Sequence, residues 1–130
     1  MHFEERYPGV VYCWDVVNEP LGNNRFEYRA DDSRHLRTQR EGVPNCFLEH
    51  IGEDYAEWAF LQARNTVDAL GANIRLFLND FDMMRGKKPY VIALARAVNG
   101  YATDAEGRPR RLLDGIGLEG YLGGNGRQEG

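Results

Sequence analysis

Three short apolar runs alternate with two helix-like segments, and that order restricts the fold more than any other feature of the chain. The runs are VVYCWDVV (residues 10–17), NIRLFLND (73–80) and a stretch within LLDGIGLEGYL (112–122). β-Branched and aromatic residues dominate the first, and Pro8-Gly9 supplies a turn before it, so it reads as a fully buried strand. Residues 53–70 follow the helical period: Ala56, Ala59, Phe60, Ala63, Val67 and Leu70 fall on one face. Glu53 and Asp54 put negative charge in the first turn, and Gly71 stands at the expected stop. A second helix is predicted over 89–99, with Val91, Leu94, Ala95 and Val98 inward, Pro89 in its first turn and Gly100 at its end. Strand, helix, strand, helix, strand signals parallel β/α units joined by right-handed crossovers.

Three parallel strands leave two open edges, which proteins normally pair or cover. The expectation is therefore a segment of something larger, an α/β fold built as a partial (β/α)8 TIM barrel over residues 1–130. A small complete three-layer domain is the alternative. Exposed edges are expected to promote self-association of such a piece. Between the first strand and first helix lies a long polar stretch, about 21–50, rich in arginine and acidic residues. Loops of that length without structure are uncommon and are usually functional or disordered.

The 130 residues carry Lys+Arg 16 against Asp+Glu 20, a net charge of -4, and are 42% hydrophobic. That suits a globular unit, not a disordered one. It offers no general attraction to nucleic acid, and no window holds the roughly 18 apolar residues of a membrane span. The beginning, MHFEERYPGV, lacks the apolar core of a secretory signal. Cys13 lies in the apolar run, where a free cysteine packs as a small hydrophobe, and Cys46 lies in a loop. A disulfide between them stays open. Asp80 and Asp82 suggest a metal, but His2, His35 and His50 show no ligand spacing around them, so no metal and no cofactor are expected.

The first run ends on Asn18-Glu19-Pro20. In parallel β/α folds active groups gather where strands end, so a rigid strand closing on Asn-Glu aims an amide and a carboxylate into a cleft. Against this stands a second reading, in which Glu19 caps the next segment or pairs with an arginine of the loop. The tripeptide alone does not separate the two.

WDVVNEP resembles the strand-four motif of glycoside hydrolase family 10, whose members are mostly endo-1,4-β-xylanases. IGEDYAEWAFLQAR resembles the helix that follows, LFLNDFD the strand-five motif, and LLDGIGLEGYL strand six. The resemblance covers nearly the whole chain apart from residues 21–50. It implies that Glu19 is the general acid/base, donating a proton to the leaving oxygen and later accepting one from water. An apolar strand end beside aromatics such as Trp14 would desolvate that carboxyl, although Trp14 itself reads as core. Asn18 matches the asparagine that contacts the sugar 2-hydroxyl, and Asn79 the strand-five asparagine near the site. Asp15 also falls on a motif position.

Strand six departs from the family pattern. Glu119 stands where the family usually has glutamine, and Tyr121 where it has histidine. Both positions are assigned to substrate binding. The family's nucleophile belongs to strand seven, and no such motif follows Tyr121, so Glu119 is not taken as the nucleophile. The resemblance therefore implies a fragment without turnover by itself, from a retaining hydrolase acting on xylan or xylooligosaccharides, without cofactor, nucleic acid or membrane partner, and secreted or extracellular in its full form. The alternatives are a non-catalytic carbohydrate-binding or assembly module derived from a barrel, and another retaining barrel hydrolase such as a cellulase or mannanase.

Overall fold

The computed structural model describes residues 2–83 and 86–120. In chain order the elements are α1 (His2–Arg6), β1 (Cys13–Asn18), β2 (Gln39–Arg40), β3 (Val43–Pro44), α2 (Cys46–His50), α3 (Tyr55–Leu70), β4 (Arg75–Phe81), α4 (Lys88–Gly100) and β5 (Gly115–Glu119). The sheet β1-β4-β5 is parallel throughout, with β4 in the middle. Strands alternating with α3 and α4 make part of a (β/α)8 barrel, as the order of apolar runs predicts.

The period of two in β4 sorts its side chains. Leu76, Leu78 and Asp80 are buried toward the helices, while Phe77, Asn79 and Phe81 occupy the opposite, half-buried face. Phe60 of α3, Val91, Leu94 and Val98 of α4, and Leu112 join Leu76 and Leu78 in one apolar cluster. Full burial of each such side chain stabilises by roughly 1.5–3 kcal/mol. Helix α3 ends as its sequence requires: Gly71 adopts φ 61°, and its N–H bonds back to Asp68 and Val67 carbonyls.

The first strand is not fully buried. Val10, Tyr12 and Trp14 are 64%, 76% and 58% exposed, and only Val16 and Val17 touch the core. An outer strand of a parallel sheet has covering helices on one side and no strand beyond it among the described residues, so its apolar side chains divide between core and surface. Trp14 belongs to the exposed set. It borders a groove of about 170 Å³ with Phe3, Val11 and Leu76. Cys13 and Cys46 are both free thiols.

Residues 21–50 are ordered. Leu21 and Leu36 are 0% and 1% exposed and face each other across an isolated antiparallel bridge. β2 and β3 form a hairpin whose two turn residues, Glu41 and Gly42, have φ 53° and 83°, the type I′ pattern that suits strand twist. Asn45 caps α2, its side-chain oxygen accepting from Phe47 N and Leu48 N. His35 stacks between Tyr28 and Tyr90, with ring centroids 3.9 and 3.6 Å apart, and so ties this segment to α4. Arg34 ties it to α3 through Glu57 at 2.8 Å.

Candidate active site

The C-terminal ends of β1, β4 and β5 share one rim because the strands are parallel. Register then decides which side chains meet. Asn18 pairs with Asn79, Asn79 with Gly117, and Phe81 with Glu119. In-register residues of neighbouring strands face the same way, so Asn18, Asn79 and Glu119 come to one side of the sheet. A bulge makes this possible. Asp15 pairs with Phe77 and Val17 with Leu78, leaving Val16 as an extra residue in β1. Were Val16 paired in the ladder instead of bulged, Asn18 would lie opposite Asp80 and point the other way.

Asn79 joins the group. Its Nδ2 donates to Asn18 Oδ1 at 2.7 Å and to Glu119 Oε1 at 2.8 Å. Both amide hydrogens are used, and Asn18 Nδ2 is left as a donor at the rim. Gly117 provides the space. A β-carbon there would stand 2.6 Å from Asn79 Oδ1.

Glu19 follows directly. Its N–H continues the ladder to the Asn79 carbonyl at 2.8 Å, and its φ of 48° lies in the left-handed region. A non-glycine residue there is under backbone strain of the kind that clusters at functional sites. The chain beyond is held firmly: the Pro20 carbonyl accepts from Arg37 N at 2.7 Å, and Leu21 N donates to Asp80 Oδ2 at 3.2 Å. The Asp80 carboxylate is fully buried and also accepts from Lys87 Nζ at 2.6 Å and Phe81 N at 2.8 Å. Asp80 is thus a clamp between β4, α4 and the segment after Glu19, and it faces away from the rim.

The Glu19 carboxylate is 20% exposed and accepts from the Arg40 guanidinium at 2.7 Å. Trp14 is not the aromatic beside it; Phe47, Tyr55 and Trp58 line its groove instead. Trp14 lies five residues up the strand, roughly 16 Å away at strand rise, and lines a different groove. The pairing with a loop arginine, one of the two readings of the tripeptide, is what the folded chain makes. Both features coexist, since the same carboxylate sits at the strand end and opens on a groove of about 480 Å³ with Val17, Asn18, Phe47, Tyr55 and Trp58. Burial pushes the Tyr55 phenol above its ordinary value, so it lines the groove as a neutral hydroxyl.

Of the residues singled out in the sequence, Asn18, Asn79 and Glu119 form one hydrogen-bonded group, and Glu19 adjoins it through its backbone N–H while its carboxylate turns to Arg40. Tyr121 lies outside the described residues. Asp15 is exposed on β1 away from the rim residues. Arg40 and Arg37 were not singled out individually. The signal that finds Arg40 is the Glu41-Gly42 pair, which marks a hairpin turn and so fixes the residue just before it.

The sequence profile of glycosyl hydrolase family 10 matches residues 2–129. Strand-end carboxylate, paired asparagines and parallel β/α units define a segment of a barrel glycoside hydrolase, and the chain belongs to glycosyl hydrolase family 10. It is 32% identical over 116 residues to endo-1,4-beta-xylanase D of Talaromyces funiculosus, covering 89% of this chain and 22% of that protein. Among solved structures it superposes on a family 10 xylanase from Bispora sp. MEY-1 bound to xylobiose, with TM-score 0.62 and 22% identity, covering 91% of this chain and 30% of the other. A second structure, a substituted protein in complex with xylotriose, gives TM-score 0.57 at 27% identity and covers 89% of this chain and 28% of the other. The chain thus spans under a third of the length of these relatives.

Proposed function

We propose that this chain is the acid/base-bearing segment of a retaining endo-1,4-β-xylanase-type hydrolase. Glu19 donates its proton to the glycosidic oxygen as the sugar bond breaks, then takes a proton from the water that attacks the glycosyl-enzyme. Asn18 offers Nδ2 to the 2-hydroxyl of the sugar at the cleavage point, a bond that strengthens as positive charge develops at the ring. Asn79 and Glu119 hold Asn18 in that orientation. The second carboxylate, the nucleophile, comes from a later strand of a longer polypeptide, about 5–5.5 Å from the first across the bond. By itself the 130-residue chain binds xylooligosaccharides and does not turn them over. Under the same reading the full enzyme works outside the cell, where a polysaccharide too large to cross a membrane is met.

The observation that carries this reading is the convergence of Asn18, Glu19 and Asn79 at one rim in a chain of this family. Support for the ligand comes from the relative solved with xylotriose. The test pairs two measurements. Xylotriose titrated into the chain should shift the NMR signals of Asn18, Glu19 and Asn79, and xylan incubated with the pure chain should release no reducing sugar. Robust release that disappears in Glu19→Ala would show that no further carboxylate is needed and would overturn the reading.

A further inference from the structure

Resting on the sugar contact proposed above for Asn18, we infer that Glu119 is a positioning residue that sets the polarity of the rim. Its carboxylate makes Asn18 face the sugar with nitrogen and not with oxygen, so the site tolerates a 2-substituent that only accepts a hydrogen bond. A residue of β5 thus decides how an amide on β1, two strands away, can bond.

Two of the three side chains in the group are amides, and an amide can meet a neighbour with either end. Asn18 and Asn79 alone could bond in two senses, with either one as the donor. A carboxylate has no such freedom, because it only accepts. With Glu119 Oε1 at 2.8 Å, the atom of Asn79 that faces it must be the nitrogen. The same nitrogen stands 2.7 Å from Asn18. Asn18 therefore meets it with Oδ1 and turns its own Nδ2 outward.

Nothing pulls the Asn79 amide the other way. Its Oδ1 accepts no hydrogen bond among the described residues and lies against Gly117, where a β-carbon would stand 2.6 Å away. Turning the amide over would set that oxygen against the Glu119 carboxylate, two acceptors face to face. Asn79 and Glu119 are both half-buried, so water offsets only part of that cost. A glutamine at 119 would behave differently. It could accept from Asn79 or donate to it, and Asn18 would then show either end. The carboxylate removes one of these two states. A nitrogen at the rim bonds a sugar hydroxyl through its oxygen and leaves the hydroxyl proton for another acceptor. An oxygen at the rim would claim that proton instead. Fluorine accepts weakly and cannot donate, so it separates the two polarities.

The experiment uses the 130-residue chain and two near-isosteric variants. Glu119→Gln makes both senses available. Asn79→Asp combined with Glu119→Gln reverses the sense, since a carboxylate at 79 accepts from both neighbours. Side-chain amide NMR spectra without ligand should show both Asn79 protons hydrogen-bonded in the parent and both Asn18 protons open to solvent. One Asn18 proton should become partly bonded in Glu119→Gln and fully bonded in the double variant. Calorimetry then compares xylotriose with its analogue carrying fluorine in place of every 2-hydroxyl. The two should bind the parent within about threefold of each other, and the fluorinated probe should bind the double variant at least about tenfold more weakly. Glu119→Gln should fall between. Backbone amide spectra report whether each variant keeps its fold, and Glu119→Gln alone decides the matter if the double variant does not. Asn18 and Asn79 signals that ignore Glu119→Gln, or an equal fluorine penalty in all folded chains, overturn the inference and leave the acid/base reading of Glu19 intact. Failure of both probes to bind the parent removes the sugar contact of Asn18 and the selectivity with it.

Discussion

The Asn79 side-chain oxygen fills the space that a β-carbon on Gly117 would need, at a separation of 2.6 Å. The contact makes Gly117 a determinant of the site although it carries no side chain. In Gly117→Ala the Asn79 amide must swing away and lose its bonds to Asn18 and Glu119. We expect a stability loss of about 1–3 kcal/mol, the usual cost of overpacking. We also expect the two Asn79 side-chain amide protons to lose their hydrogen-bonded shifts. Urea unfolding and a side-chain amide spectrum check this. Unchanged Asn79 signals would mean that the close approach does not hold the amide.

Asp80 and Lys87 form the most buried ion pair at this end of the sheet, with side chains 0% and 9% exposed. Lys87→Met leaves the carboxylate with only the Leu21 and Phe81 N–H groups, and removing one member of a buried pair costs about 3–5 kcal/mol. Replacing both, as Asp80→Leu with Lys87→Met, should recover part of the loss. Full recovery is not expected, because Leu21 N and Phe81 N then lose their acceptor. Denaturant midpoints of the three variants give the answer. A double variant no better than Lys87→Met would place the cost in the lost acceptor and not in the stranded charge.

Acid should loosen the segment around Asp32. Burial alone would raise the Asp32 carboxyl, but hydrogen bonds from Arg34 N, the Arg34 guanidinium and Leu36 N outweigh it and hold it below 3.8. A depressed folded-state value means that the contribution is complete above about pH 3.8 and is lost as pH falls through the lower folded value. Protection factors of the Arg34 and Leu36 amides should therefore fall as pH drops below 3.8, and in Asp32→Asn they should already be low at neutral pH. Protection that persists in acid, or in the variant, would show that Leu36 packing alone holds the segment.

The strand and helix order was legible because periodicity survives truncation of context. Leu76, Leu78, Phe60, Val91 and Leu94 are apolar wherever a barrel segment buries them. The strand-end group was legible for a related reason, since Asn18, Asn79 and Glu119 sit at the last turns of recognisable runs. Burial of β1 was not legible. VVYCWDVV has the composition of a central strand, and no strand lies beyond it among the described residues, which leaves Val10, Tyr12 and Trp14 exposed. The extra residue Val16 was equally hidden, because a bulge follows from pairing and not from any property of valine. Arg40 was obscured by the many charges of residues 21–50, among which only the turn at Glu41-Gly42 carried a positional signal.

Exposure of β1 has a consequence for the isolated chain. The outer strand presents unpaired backbone groups beside Tyr12 and Trp14, which are 76% and 58% exposed. An apolar edge of this sort is a template for pairing with another copy. Sedimentation should therefore show association that rises with protein concentration. Trp14→Lys places a charge on the edge without touching the core cluster, so the fold should persist while association falls, since charged side chains are a common natural device for blunting edges. The rim residues lie at the far end of the strand, and their amide signals should not move. A parent chain that stays monomeric at every concentration would mean that the edge is shielded in solution, and α1, whose Phe3 already borders the same groove as Trp14, would be the element that shields it.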